Sequence, residues 1–193
     1  MEREYYALPL QELGTDAGFR RPTQVQASGV TLQSPARDVM TDLSRVTAAT
    51  IRPQAPLAGA NQFMIARGVR LLLAVDEREH VLGAITATDI LGERPMQVAT
   101  ERGLRRDELT VTDIMTPAQR MQAMALADVE GARVGHVLET LHRAGRQHAL
   151  VMDGQAMVCG IFSLSQIARQ LGIALPAETE VARTFSEIEA AIR

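Results

Sequence analysis

Gly83-Ala84-Ile85-Thr86-Ala87-Thr88-Asp89-Ile90-Leu91 is the stretch on which the fold turns, because the chain repeats its opening as Gly160-Ile161-Phe162-Ser163. Upstream, Asp38-Val39-Met40-Thr41 returns in the same way as Asp113-Ile114-Met115-Thr116. The copies lie 75 residues apart at the upstream motif (38 to 113) and 77 apart at the downstream one (83 to 160), which implies a two-residue insertion before the middle of the second copy. A period this long marks a duplicated small domain, not a solenoid.

Outward from those motifs, each copy reads β-α-β-β-α. In the first, residues 47–51 are β-prone, Pro53 turns the chain and Pro56 suits a first helical turn. Leu57, Ala60, Phe63 and Met64 then recur at helical spacing until Gly68 stops the helix. Residues 69–75 form a near-continuous apolar strand, 76–80 a charged turn and 81–86 a second strand, followed by a helix that Gly92 and Pro95 close. In the second copy the first strand is 121–126, and Val134, Val137, Leu138 and Leu141 form the helix stripe that Gly145 ends. Strands at 148–152 and 157–162 flank an Asp153-Gly154 hairpin signal, and Ser163 opens a helix carrying Ile167 and Leu171.

Each unit of about 60 residues is marginal alone, so the two are expected to bury their sheets against one another. The expected fold class is α+β: two tandem β-α-β-β-α units packed sheet to sheet as one pseudo-twofold module. The expected boundaries are an N-terminal arm at 1–34, unit one at 35–92, a charged linker with room for a short helix at 93–110 and unit two at 111–172. Residues 173–193 read as a C-terminal amphipathic helix, with Val181, Phe185, Ile188 and Ile192 on one stripe.

Composition removes several chemistries. At 193 residues, 46% hydrophobic and with a net charge of -3, the chain reads as a globular protein, and it has no dense basic stripe of the kind nucleic acid requires. All 20 basic side chains are Arg, so Schiff-base, phosphate-loop and kinase-type lysines are excluded, and anions must be held by Arg forks, backbone amides or hydroxyls. Cys159 is the single cysteine, which rules out an internal disulfide and reads as a small core residue. His136 and His142 are six apart, off the spacing that sets two metal ligands on one helix face, and no metal is expected. No apolar run reaches the roughly 18 residues of a membrane span, and the first residues lack a signal-peptide pattern. The expectation is a cytoplasmic protein without membrane or nucleic-acid partners.

The order of Asp-Val-Met-Thr, strand, Pro-Leu helix, apolar strand ending in Val75-Asp76, turn, and Gly83 to Leu91 closely resembles the cystathionine-β-synthase (CBS) domain. Two in tandem resemble a Bateman module, and the resemblance covers roughly residues 35–172. It implies a non-catalytic regulatory module, often a homodimer, that binds adenosine compounds in clefts between paired domains. It implies that Thr86 contacts phosphate, that Asp89 takes the ribose hydroxyls, that Arg70 supplies a phosphate-binding cation and that Thr50 touches base or ribose through its backbone. The ligand it implies is an AMP, ADP or ATP-class nucleotide or S-adenosylmethionine, with no catalytic cofactor and with output through an unidentified regulated protein.

The residues themselves leave two readings open. Thr86 stands where a strand meets a helix, a position suited to phosphate, and Asp89 one turn on suits a vicinal diol. The same pair has capping-box spacing, as does Ser163 with Gln166, which fits the capping pattern even better. Gln166 stands where the resemblance expects an acid, so Ser163, Gln166 and His148 make a second, weaker or degenerate site. His148 is either a phosphate contact or a core histidine. The alternative function is a ligand-free scaffold or dimerisation protein.

Overall fold

A computed structural model describes residues 29–173. Most of the expected N-terminal arm and the apolar stripe from Val181 to Ile192 lie outside the described residues. In chain order the first half holds β1 (Thr41–Asp42), β2 (Thr50–Ile51), α1 (Leu57–Arg67), β3 (Leu71–Val75), β4 (Val81–Thr86), α2 (Ala87–Leu91) and α3 (Arg94–Arg102). The second half holds α4 (Val111–Ile114), β5 (Thr116–Pro117), β6 (Ala123–Ala125), α5 (Leu126–Gly131), α6 (Val134–Ala144), β7 (His148–Met152), β8 (Val158–Ser163) and α7 (Leu164–Gln170).

The two sheets do not follow the sequence copies. One has the order β2-β3-β4-β5 and the other β1-β8-β7-β6, so the short strand formed at the Met-Thr motif of each copy, β1 or β5, crosses to the sheet of the other. The segment before β1 goes with it: Ala36 and Val39 are buried in the core of the second unit, beside Val134, Val137 and Phe162. Reciprocally, Leu109, Val111 and Ile114 are buried in the first core, beside Leu57, Met64 and Ile85. Backbone bonds pin the exchange at both helix starts, from Leu57 N–H to Leu109 O (3.2 Å) and from Val134 N–H to Ser34 O (3.0 Å). Each buried Val, Leu or Ile contributes about 1.5–3 kcal/mol, so neither half keeps its core without the other's leading segment.

Strand alternation explains the layers. On β3, Leu72 and Ala74 face the helices of the first core, while Leu71, Leu73 and Val75 face the opposite sheet. There they meet Leu150 of β7 and Val158 and Ile161 of β8, closing the sheet-to-sheet layer that the duplicated pattern implies. Both faces of β3 are covered, which is why residues 71–75 read as an unbroken apolar run.

The helix signals hold in detail. Leu57, Ala60 and Met64 are the buried positions of α1, and Val134, Val137, Leu138 and Leu141 those of α6. Gly68 and Gly145 end them with φ of 64° and 59°, a left-handed closure suited to glycine. Three expectations change. The first strands shrink to two and three residues. The copies lie 73 apart at those strands, where Thr50 pairs with Leu73 as Ala123 does with Leu150, and 77 apart from α1 and α6 onward. Relative to the offset of 75 at the upstream motif, the second copy therefore loses two residues before that strand and gains four after it, a net insertion of two, in the stretch that holds the unexpected α5. Finally, the Asp153-Gly154 turn is a longer loop. Asp153 Oδ1 accepts the N–H groups of Gln155 and Met157, both at 2.9 Å, and the left-handed residue is Ala156 (φ 61°). Asp76 and Glu79 (φ 64°) repeat that loop in the first copy.

The two repeated motifs turn out to be halves of one contact. A Cβ on Gly83 would lie 2.5 Å from Thr116 O and 3.0 Å from Met115 Sδ, and a Cβ on Gly160 would run into the Met40 thioether. The Met-Thr of each copy thus lies on the glycine of the other. Gly83→Ala meets a backbone oxygen that cannot retreat without breaking the β4–β5 pairing, and it is expected to cost about 1–3 kcal/mol in chemical denaturation. Gly160→Ala meets only a flexible side chain, so it is expected to cost less and to be largely rescued by Met40→Ala. Equal costs without rescue would contradict this contact.

Candidate functional site

Two cavities open at the edges of the sheet-to-sheet layer, and each takes walls from both copies. The first, about 300 Å³, sets Thr86, Thr88 and Asp89 of the first copy against Met121, Gln122 and Arg146 of the second. The second, about 610 Å³, sets Ser163, Ser165 and Gln166 of the second copy against Thr47, Arg67 and Arg70 of the first. The exchange of leading segments adds Thr116 to the first cavity and Thr41 to the second.

In the first cavity the capping reading of Thr86 and Asp89 is realised in full. Thr86 N–H and its hydroxyl donate to Asp89 Oδ2 at 2.8 and 2.7 Å, and Asp89 N–H donates to Thr86 Oγ1 at 3.2 Å. The cap uses one carboxylate oxygen. The other, Oδ1, has the Arg94 guanidinium of α3 at 4.0 Å. The carboxylate therefore both starts α2 and keeps an acceptor oxygen for a second task. Across the cavity, the Thr88 hydroxyl donates to Gln147 Oε1 (3.2 Å), tying the two copies together at the rim.

The second pair behaves differently, and this corrects the expectation that Ser163 and Gln166 cap their helix. Ser163 makes no side-chain cap; its hydroxyl lies 3.1 Å from Ser165 Oγ. Gln166 Oε1 instead accepts from the Thr41 hydroxyl at 3.2 Å. The crossed-over strand β1 brings Thr41 next to Gln166, and a long amide reaches that partner in place of its own helix start.

The expected grouping of site residues also changes. The Arg70 carbonyl accepts the Ala87 N–H at 2.9 Å, so its backbone adjoins Thr86, yet the residue lines the other cavity, with Ser163 and Gln166. Thr50 is exposed and lines neither cavity; its neighbours Thr47, Ala48 and Ala49 line the second. The cation on the wall of the Thr86 cavity is Arg146, which sequence reasoning missed. It stands 77 residues after Val69, so the duplication offers no basic residue at the matching place.

The chain is similar to known proteins in the same terms. Residues 36–95 match the family model of the CBS domain. None of the curated proteins matches the chain. An uncharacterised conserved protein from Pyrococcus horikoshii superposes with a TM-score of 0.56 at 21% identity, covering 77% of this chain and 100% of its own. The CBS domain pair of protein MJ0100, solved with 5'-methylthioadenosine and S-adenosyl-L-methionine, gives 0.51 at 22% identity, with 75% and 98% covered. A CBS-domain protein from Agrobacterium tumefaciens gives 0.52 at 17% identity, with 67% and 89% covered. The chain carries a CBS domain and folds as a tandem CBS-domain pair. No helix among the described residues is long and apolar enough to cross a membrane.

His148 shares the wall between the cavities with Leu71. The two are 77 residues apart, so they are the same position in the two copies, one apolar and one imidazole. His148 Nδ1 is shut off from solvent and has no hydrogen-bond partner among the described residues. Burial, and secondarily the positive charge of Arg70, push this histidine down to about 4. The unfolded chain therefore takes up this proton first as pH falls below the ordinary value of 6.5, and the stabilisation, complete above 6.5, drains away toward pH 4. Relative to His148→Leu, the wild-type protein is expected to lose on the order of 3 kcal/mol more stability between pH 7 and pH 4. Parallel stability profiles in urea titrations would contradict the buried neutral imidazole.

Proposed function

We propose that this chain is a non-catalytic regulatory module that binds an adenosine-containing ligand in the Thr86–Asp89 cavity and signals its occupancy by association with a partner protein. The observation that carries this reading is the meeting of Thr86 and Asp89 with Arg146 of the other copy on one wall-bounded cleft. Asp89 Oδ1 offers a charged acceptor for a vicinal diol, at about 1.5–3 kcal/mol per charge-assisted bond. Arg146 offers a fork for phosphate, and Leu71, Ala84, Met121 and Leu150 give an apolar wall against which a base can lie. A volume near 300 Å³ is at the lower bound of ordinary small-molecule sites, which run from about 300 to 1,000 Å³.

The ligand class, AMP, ADP, ATP or S-adenosylmethionine, is supported by the adenosine compounds present in the MJ0100 domain pair. Because each cavity has walls from both copies, a ligand there bears on their relative placement, a change that a partner protein can read. A cytoplasmic homodimer completes the proposal. Ile65 on α1 and Leu91 on α2 are 72% and 64% exposed, apolar positions on neighbouring helices that a second copy would cover.

The alternative, a ligand-free scaffold, has one observation in its favour: the Thr86–Asp89 box closes through the chain's own atoms. Calorimetric titration with AMP, ATP and S-adenosylmethionine separates the two. The sensor reading expects saturable binding of at least one of them, thermal stabilisation by it, and a tenfold or greater loss of affinity in Asp89→Asn, which keeps an oxygen for the cap but removes the charge. The absence of both binding and stabilisation would favour the scaffold. Binding that Asp89→Asn leaves unchanged would overturn the ribose role of Asp89.

A further inference from the structure

Beside the Thr86 cavity lies a smaller pocket of about 100 Å³ that belongs to the second copy alone, between α6 and the strands β6 and β7. Thr140, Leu141 and Ala144 of α6 form its walls with Met124 of β6 and Ala149 of β7. Gln122, Arg146 and His148 line this pocket and the Thr86 cavity alike, so the two compartments adjoin along those three side chains.

The first copy shows what the fold can put in this space. Thr140, Ala144 and Ala149 stand 77 residues after Phe63, Arg67 and Leu72. There Leu72 is fully buried, Phe63 packs against the same core, and the Arg67 guanidinium covers the Phe63 ring at 5.6 Å from its centroid. The second copy has a smaller side chain at all three positions. Phe162, in the place of Ile85, recovers volume next to Ala149, its pairing partner across β7 and β8, but it does not line the pocket. The opening therefore comes from these residue choices and not from the fold.

An apolar space left unfilled forfeits packing, whereas an apolar group that enters it gains about fourfold in affinity per buried methylene. We infer that the ligand of the Thr86 cavity is an adenylate whose phosphate is esterified with a short aliphatic group, the phosphate on Arg146 and the aliphatic arm in the pocket beyond it. The inference rests on the adenosine reading of that cavity, with the ribose on Asp89 and the phosphate on Arg146. Since Arg146 lines both compartments, the phosphate then lies at their shared wall, and whatever it carries next is directed to the pocket. A dry apolar cavity of about 150 Å³ admits benzene, so a pocket of about 100 Å³ suits a branched chain of about four carbons.

The methyl and isobutyl phosphodiesters of AMP carry the same charge and differ only in the arm, so they are the probes, titrated by calorimetry into the full chain. The isobutyl ester is expected to bind about tenfold or more tightly than the methyl ester. Thr140→Phe restores the bulk that the first copy has at this place and lies outside the Thr86 cavity. It is expected to erase the preference for the isobutyl arm while leaving the affinity of the methyl ester unchanged. Ala144→Leu, one turn further along α6, fills the same pocket and is expected to act alike. Both positions are exposed on the helix, and the melting temperature of each variant without ligand is the check that the fold persists. Methyl ester binding with no gain from the isobutyl arm, or a gain that both folded variants retain, would overturn this inference and leave the adenosine reading standing. Binding of neither ester, nor of AMP itself, would overturn both.

Discussion

The structure depends on a reciprocal exchange: the Met-Thr that opens each repeat lies on the glycine strand of the other. Met40 sits against Gly160, and Met115 with the Thr116 carbonyl against Gly83, where a Cβ has no room. The exchanged strands extend both sheets, and the residues ahead of them fill the partner core with Ala36 and Val39 on one side and Leu109, Val111 and Ile114 on the other. A unit of this size is short of core by itself. Swapping apolar segments turns two marginal halves into one cooperative body and sets their angle through backbone contacts.

That geometry makes both cavities composite and lets the copies diverge. Apart from Leu71 and His148, which line both clefts, the duplicated positions named here line opposite clefts, so a difference between the copies alters one cleft relative to the other. Asp89 against Gln166 sets where a charged diol acceptor exists, and Leu71 against His148 places one imidazole on the shared wall. Arg70 against Gln147 sends a guanidinium to the larger cavity and an amide to the smaller. The fold keeps its twofold plan while the chemistry becomes asymmetric. Among the described residues, one cleft is lined by a carboxylate and a guanidinium and the other by guanidinium groups.

Much of this was legible from residues alone, because the signals were local. Gly68 and Gly145 marked helix ends, the spacing of Val134, Val137, Leu138 and Leu141 marked a buried face, and residues 71–75 marked a strand covered on both sides. The exchange was not legible, since nothing within Asp38-Val39-Met40-Thr41 says which of two similar glycine strands it will join. That ambiguity carried into the site. Sequence neighbours grouped Arg70 with Thr86, but the side chain that faces Thr86 across the cleft comes from the other copy. The capping of Ser163 by Gln166 failed for the same reason, because Thr41 arrives from a distance of 125 residues to take the amide oxygen. Local propensity predicted elements well; tertiary partners decided what the polar side chains do.

Amide chemical-shift mapping of the full chain during titration with AMP tests most directly whether an adenosine ligand is held between the copies. The account predicts that Thr86, Thr88 and Asp89 shift together with Gln122, Arg146 and Gln147, following one saturation curve, since these residues share one cavity. Shifts confined to a single repeat, or none that saturate, would contradict a ligand site built by both.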